Sequence, residues 1–272
     1  MQDYSSSPKE MFASIWRNRS LAMALIRREV IGRYRGSIMG VFWSFLNPVL
    51  LLVVYTFVFS VVFKAHWVGN SESKTEFALV LFSGLIIFNI FSECFNRAPG
   101  LILANVNYVK KVVFPLEILP WVALGSALFH ATISLLAWLI AYVVIFGWPQ
   151  VTVIMIPIII LPLAFLVMGL TWGLAALGVY IRDVSQFAGL ITTAMMFLSP
   201  IFYSAESLPK KYRVFVFCNP LTPAIEQARS VLFWGKIPNM THWLVFMAAT
   251  MLMAYVGFVF FQKTRRGFAD VL

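Results

Sequence analysis

Four arginines, Arg27, Arg28, Arg33 and Arg35, stand just before Ser37 to Phe63, a run of 27 residues in which Tyr55 has the only ionisable side chain. About 20 apolar helical residues already cross a ~30 Å hydrocarbon layer, so this run predicts a membrane span. Cations at a helix end resist translocation and keep the N-terminus cytoplasmic. Read as helix, Arg27 to Pro48 carries a basic half into an apolar half without a break. Composition agrees: 61% of residues are hydrophobic and 12% charged, against roughly 45–50% and 25% in soluble domains.

Charge-free runs recur at Ile118 to Ile181, Val184 to Ala205 and Ile237 to Gln262, and Phe77 to Asn96 is apolar up to Glu93. The longest run holds two spans folded about Gly147-Trp148-Pro149-Gln150. The sequence therefore predicts an all-α integral membrane protein with six transmembrane helices near 37–63, 77–96, 118–146, 152–181, 184–203 and 242–262. An even number leaves both termini on one side. Residues 1–36, 97–117, 182–183 and 263–272 hold fourteen Lys and Arg, whereas 64–76 and 204–241 hold seven. That two-to-one bias points the termini inward. It also accounts for the net charge of +10: the basic residues are spread over short connectors instead of forming a nucleic-acid-binding face. Residues 1–36 lack the apolar core and cleavage site of a signal peptide, so targeting falls to the first span. Cys94 and Cys218 fall on opposite sides of the membrane in this topology and do not pair within one chain.

Two connecting pieces read as ordered. Ser7-Pro8-Lys9-Glu10 has capping-box spacing with proline at the first helical position, and Phe12, Ile15, Trp16, Met23, Ile26 and Val30 follow at near-helical intervals. This predicts an amphipathic helix within 1–36 on the inner surface, with Trp16 at headgroup depth and Arg17 and Arg19 toward anionic lipid; the alternative is a basic, partly disordered tail. The outer segment 204–241 is too long for a plain turn. Pro209 to Phe217 and Pro223 to Phe233 read as two short helices split by Asn219-Pro220, the second capped by Thr222-Pro223 and ended by Gly235. Val214, Phe215, Val216, Phe217, Ile225, Leu232, Phe233 and Trp234 would be costly in water, which predicts a re-entrant pair dipping into the outer leaflet.

Candidate catalytic chemistry is thin. There is no phosphate-binding loop, His66, His130 and His242 are scattered, and paired carboxylates are absent from any one face. Energy must then come from another chain or an ion gradient. A gradient-driven carrier needs ionisable groups near the midplane; only His130 lies deep, as a hydrogen-bonded packing residue, and Glu93 is spaced for an interfacial ion pair with Arg97. A membrane-embedded transferase on lipid-linked sugars would need acidic or histidine pairs at one face. Gly32, Gly36 and Gly40, like Gly169 and Gly173, have the four-residue spacing that lets helices approach closely. Pro48, Pro157, Pro162 and Pro200 lie inside expected spans and predict kinks. Trp67, Trp148 and Trp243 read as interface belts. Deep aromatics, among them Phe42, Trp43, Phe45, Tyr55, Phe57, Phe187, Phe197, Phe202 and Tyr203, are either packing residues or the wall of a pathway on which sugar rings stack and slide. The inner segment Asn105 to Glu117, with Lys110 and Lys111 and a stop at Pro115, is either a plain basic loop or a docking element.

The ordered set of motifs resembles a known family. Arg33-Tyr-Arg-Gly-Ser-Ile-Met-Gly40 with Trp43 and Asn47-Pro48, Lys110-Lys-Val-Val-Phe-Pro-Leu-Glu117 and Leu119-Pro120 resemble ATP-binding-cassette permeases that export cell-surface polysaccharides. Arg182-Asp183, Leu198-Ser-Pro-Ile-Phe-Tyr203, Asn219-Pro-Leu-Thr222 with Arg229, and Phe268-Ala-Asp270 extend the likeness from about residue 10 to the C-terminus. The resemblance implies the type 2 exporter fold: an N-terminal interface helix, six spans and outer re-entrant gate helices. It implies a homodimer of this chain on two copies of a separate ATPase, which binds ATP and Mg, leaving no cofactor for this chain. Asn107, Lys110, Lys111, Phe114, Pro115 and Glu117 would couple to the ATPase, with Arg182 and Asp183 as a smaller contact. Trp16, Arg27, Arg28, Arg33 and Arg35 belong to the N-terminal interface helix, which would also contact the ATPase. Phe42, Trp43, Tyr55, Phe187, Phe197, Phe202 and Tyr203 would line a channel between copies, formed by the first and fifth spans. The cargo implied is an undecaprenyl-linked polysaccharide, O-antigen first and capsule or teichoic acid otherwise, crossing the bacterial inner membrane.

Overall fold

The computed structural model describes residues 5–58, 74–110 and 114–272. The end of the first expected span, His66, Trp67 and Lys111 lie outside the described residues. The chain forms α1 Pro8–Arg17, α2 Arg19–Arg33, α3 Trp43–Tyr55, α4 Lys74–Arg97, α5 Val106–Lys110, α6 Leu119–Phe146, α7 Ile156–Tyr180, α8 Val184–Leu198, α9 Lys210–Cys218, α10 Thr222–Leu232, α11 Met240–Thr264 and α12 Phe268–Val271. Short 3-10 turns join several of them, and among the described residues there is no strand.

Among the described residues five stretches are long and apolar enough to cross a membrane: Gly40–Val58, Thr75–Gly100, Leu116–Phe146, Val151–Tyr180 and Met240–Val271. The fifth expected span, 184–203, is shorter than its apolar run. Helix α8 has 15 residues, about 22 Å at 1.5 Å per residue. It stops where Ser199 turns extended (ψ 147°), the conformation that a following proline, here Pro200, imposes.

The N-terminal region also departs from a single helix. Ser7 caps α1, its Oγ accepting from the Glu10 amide at 3.2 Å, and Asn18 separates α1 from α2. The buried face is Met11, Ser14, Ala22, Leu25 and Val30, and Trp16 and Met23 point outward. Beyond Arg33 the basic helix does not run on into the apolar one. Gly36 and Gly40 take φ of +87° and +54°, a left-handed backbone that side-chain-bearing residues rarely adopt, and α3 begins only at Trp43. Nothing lies within 4 Å of a Cβ built on Gly32, Gly36 or Gly40, so within this chain they form no close-packing seam: Gly32 stays inside α2, and Gly36 and Gly40 make the break.

The seam lies elsewhere. Helix α7 packs along α11, where a Cβ on Gly169 would sit 2.6 Å from the Met253 carbonyl oxygen and one on Gly257 would strike the Gly169 backbone. Gly173, paired with Gly169 by spacing, faces open space. Pro48 and Pro162 sit inside helices, but Pro157 occupies the first turn of α7 and Pro200 follows α8.

Helix α4 is the centre, packed by α6, α7, α8 and α10. Helix α10 carries Ile225, Ala228, Arg229, Val231 and Leu232 into this core, so its apolar side chains are covered by the bundle itself. Helix α9 leaves Val214, Phe215 and Phe217 uncovered. Arg229, fully buried, donates to the carbonyls of Val80 at 3.2 Å and Ile201 at 2.6 Å and to that of Pro200.

Gly169→Val is expected to lower the stability of the detergent-solubilised protein by about 1–3 kcal/mol, the usual range for overpacking, because α11 must be pushed away. Gly173→Ala should be neutral in the same thermal-unfolding assay. Equal losses at both sites would contradict the seam.

Candidate functional site

At the end of the bundle where both termini lie, one carboxylate gathers four parts of the chain. Glu117 enters the core at the start of α6 because Pro115 ends the preceding segment, and only 6% of its surface is exposed. Ser14 of α1 donates to its Oε1 at 2.8 Å. Arg265, just past α11, pairs with its Oε2 at 2.5 Å and donates to the Phe114 carbonyl at 2.9 Å. Trp172 of α7 donates from Nε1 to the Glu117 backbone oxygen at 3.2 Å. A buried carboxylate without partners is prohibitively costly, so these contacts fix the end as a unit.

Beside it lies the surface that sequence assigned to coupling. Tyr108 stacks on Phe114, ring centres 4.1 Å apart at 11°. Arg28 of α2 covers the Tyr108 ring at 5.9 Å and donates to its hydroxyl at 2.9 Å. Asn107 and Lys110 project from α5 as exposed residues, with Phe114 and Pro115 half-buried. Arg182 and Asp183 are exposed at the α7–α8 turn, at the same end, since Tyr180 donates to the Thr264 carbonyl at 2.8 Å. Of the interface-helix set, Trp16 is exposed with Arg19 over its ring at 5.1 Å, and Arg27 and Arg35 are exposed. Glu117 differs from its neighbours: it holds the surface from beneath.

A second cluster joins the α2–α3 break to the core. Glu93 lies 2.9 Å from Arg33, 2.9 Å from His130 Nδ1 and 3.8 Å from Arg97. The expected Glu93–Arg97 pair is present and is the longest of the three, and Arg97 also pairs with Glu29. His130 is hydrogen-bonded, as expected of a packing residue.

The aromatic set falls on two stretches, Phe42 just before α3 with Trp43 and Tyr55 on it, and Phe187 and Phe197 on α8 with Phe202 and Tyr203 just after it; both helices pack on α4. Phe42, Phe187 and Phe197 are more than half exposed, whereas Trp43, Tyr55, Phe202 and Tyr203 are half-buried. Phe197 stacks near Phe202 at 5.8 Å, and the Tyr203 hydroxyl donates to the Leu198 carbonyl at 3.1 Å. Among the described residues no His, Cys, Asp and Glu group is arranged to hold a metal. Sequence reasoning missed Ser14, Tyr108 and Arg265; the signal available was Glu117 itself, a lone carboxylate opening an apolar run, which required a distant cation.

An all-helical bundle with five membrane-crossing stretches and a polar face built from its termini and one loop is a multi-pass membrane protein of the transporter class. Comparison places it further: residues 20–233 match the ABC-2 type transporter family, and the chain belongs to it. It is the transmembrane permease subunit, and in this family the ATPase is a separate subunit. The chain is similar to the O-antigen export system permease protein RfbA of Myxococcus xanthus, with 25% identity over 94% of this chain and 96% of the relative. It is also similar to the protein of the same name from Klebsiella pneumoniae, with 26% identity over 93% and 95%. The polysialic acid transport protein KpsM of Escherichia coli is 25% identical over 88% and 91%.

Replacing Arg28 by Met removes a hydrogen bond and a cation–π contact together worth about 1 kcal/mol. Amide hydrogen exchange in residues 106–110 should then quicken roughly fivefold; an unchanged rate would show that Arg28 does not hold α5.

Proposed function

We propose that this permease subunit exports a long cell-surface polysaccharide across the bacterial inner membrane, with an undecaprenyl-linked O-antigen as the first reading. The observation that carries it is the near-full-length match to relatives whose names specify O-antigen export. The likeness to KpsM, named for polysialic acid transport, and to the capsule polysaccharide export inner-membrane protein CtrC of Neisseria meningitidis favours capsule polymer as the second reading. Teichoic acid stays a third, resting on motif resemblance alone.

In this reading α8 with residues 199–203 completes six spans, both termini are cytoplasmic, and α9 and α10 form an outer re-entrant gate. The uncovered aromatic faces of α3 and α8 support a homodimer whose channel wall carries Phe42, Trp43, Tyr55, Phe187, Phe197, Phe202 and Tyr203. Two ATPase copies, which hold the ATP and Mg, dock on Asn107, Lys110, Lys111, Phe114, Pro115, Arg182 and Asp183, while α1 and α2 lie at the lipid surface. This chain itself needs no cofactor.

Deleting the chain should strand a polysaccharide in the cytoplasm, identifiable by composition and linkage analysis; wild-type surface polymer in the deletion strain would overturn the reading. Substituting Lys110, Lys111 and Phe114 together should leave the permease folded but cut export strongly and weaken co-purification of the ATPase. Normal export by that variant would remove the docking assignment.

A further inference from the structure

One face of α4 is wrong for a helix in hydrocarbon. Asn89, Ser92, Glu93 and Asn96 recur at three- and four-residue intervals, and Asn89 and Asn96 are exposed, while most of the remainder of the helix is buried. An amide in hydrocarbon without a partner costs several kcal/mol, so this face borders water or a polar ligand. Asn47 of α3, Ser134 and His130 of α6, and Arg33 at the α2–α3 break stand around the same space, a cavity of about 400 Å³. Water takes about 30 Å³ per molecule in the liquid, so there is room for a ring and not only for scattered waters. Thr192 of α8 donates to Asn96 Oδ1 at 2.9 Å, which carries the polar face from the cavity to the helix read above as channel wall.

The chemistry of the cavity selects among ligands. Arg33 and Arg97 are already matched by Glu93 and Glu29, and Glu93 itself lines the space, so an anion meets a neutralised cluster. Among the described residues the side-chain amides of Asn47 and Asn89 have no hydrogen-bond partner. Amides offer both donors and acceptors, and Tyr34 and Phe82 also line the wall, giving a flat C–H face something to lie on. That combination fits a neutral polyhydroxylated ring.

We infer that this cavity is a sugar-contact site at the cytoplasmic mouth of the export pathway, in which Asn47, Asn89 and Asn96 bind hydroxyl groups beside the Arg33–Glu93–His130 cluster. The inference rests on the polysaccharide reading above. It adds a polar, hydrogen-bonding station to a pathway whose other candidate residues are aromatic, and it lies within each protomer, between α3, α4 and α6.

The test uses the full permease–ATPase complex in inverted membrane vesicles, in a Cys94→Ala, Cys218→Ser background. Asn89→Cys and, on a different helix, Asn47→Cys are exposed to a charged, membrane-impermeant maleimide. Both should be labelled in vesicles from cells that make no polymer. Labelling should be several-fold slower in vesicles from cells where a hydrolysis-dead ATPase stalls the polymer in transit. No labelling at either position would mean a dry interface, and equal rates with and without polymer would mean no sugar contact; either result overturns the site. Slowing by inorganic pyrophosphate in polymer-free vesicles would overturn the neutral-sugar assignment in favour of an anion. A strain that strands polymer on deletion of this chain yet gives no protection overturns this inference alone. One that strands no polymer overturns the exporter reading with it.

Discussion

The termini end of this molecule depends on one buried carboxylate. Glu117 sits where a connecting segment enters the membrane core, and it can be buried there only because Ser14, Arg265 and the nearby Trp172 bond come from three other parts of the chain. Charge burial is costly and partner removal more so, so the N-terminal helix, the α5 segment, α7 and the C-terminal tail are constrained to move together. Arg28 and Tyr108 extend that constraint outward to the exposed residues of α5. The exposed residues of α5 are thereby linked to α6 and α7 by a chain of side-chain contacts.

The opposite mechanical property appears between α2 and α3. Two positive-φ glycines interrupt the chain, and the side chains that re-tie it, Arg33 to Glu93 and His130, are polar contacts beside a cavity. Helix α3 itself exposes Leu50, Val53, Val54 and Phe57. The termini end is thus tied by buried polar contacts, whereas the first span follows a backbone break and is thinly packed.

Much of this was legible in the sequence, for physical reasons that differ by element. The long apolar helices announce themselves by length alone, and α1 by its Ser7 cap, because both signals are local. The pairing of Gly169 with Gly257 was half legible: spacing marks a small-residue face but does not name the partner helix, and it equally marked Gly32, Gly36 and Gly40, of which the last two serve a backbone break. The length of α8 was overread because its apolar run continues past the Ser199-Pro200 stop. The candidate site was least legible. Its aromatic and basic residues follow from motif and charge, but the roles of Ser14, Tyr108 and Arg265 are set by contacts across 80 to 148 residues of sequence, and the polar face of α4 was masked by its overall hydrophobicity.

The most direct measurement is a double-mutant cycle on Glu117 and Arg265, with Glu117→Gln, Arg265→Gln and the pair unfolded reversibly in mixed micelles. If the buried carboxylate ties the termini end together, each single change costs about 3–5 kcal/mol, the usual penalty for orphaning a buried charge, and the double change costs little more than either alone. Small, additive losses would show that Glu117 and Arg265 are independent and that the end of the bundle is held by apolar packing.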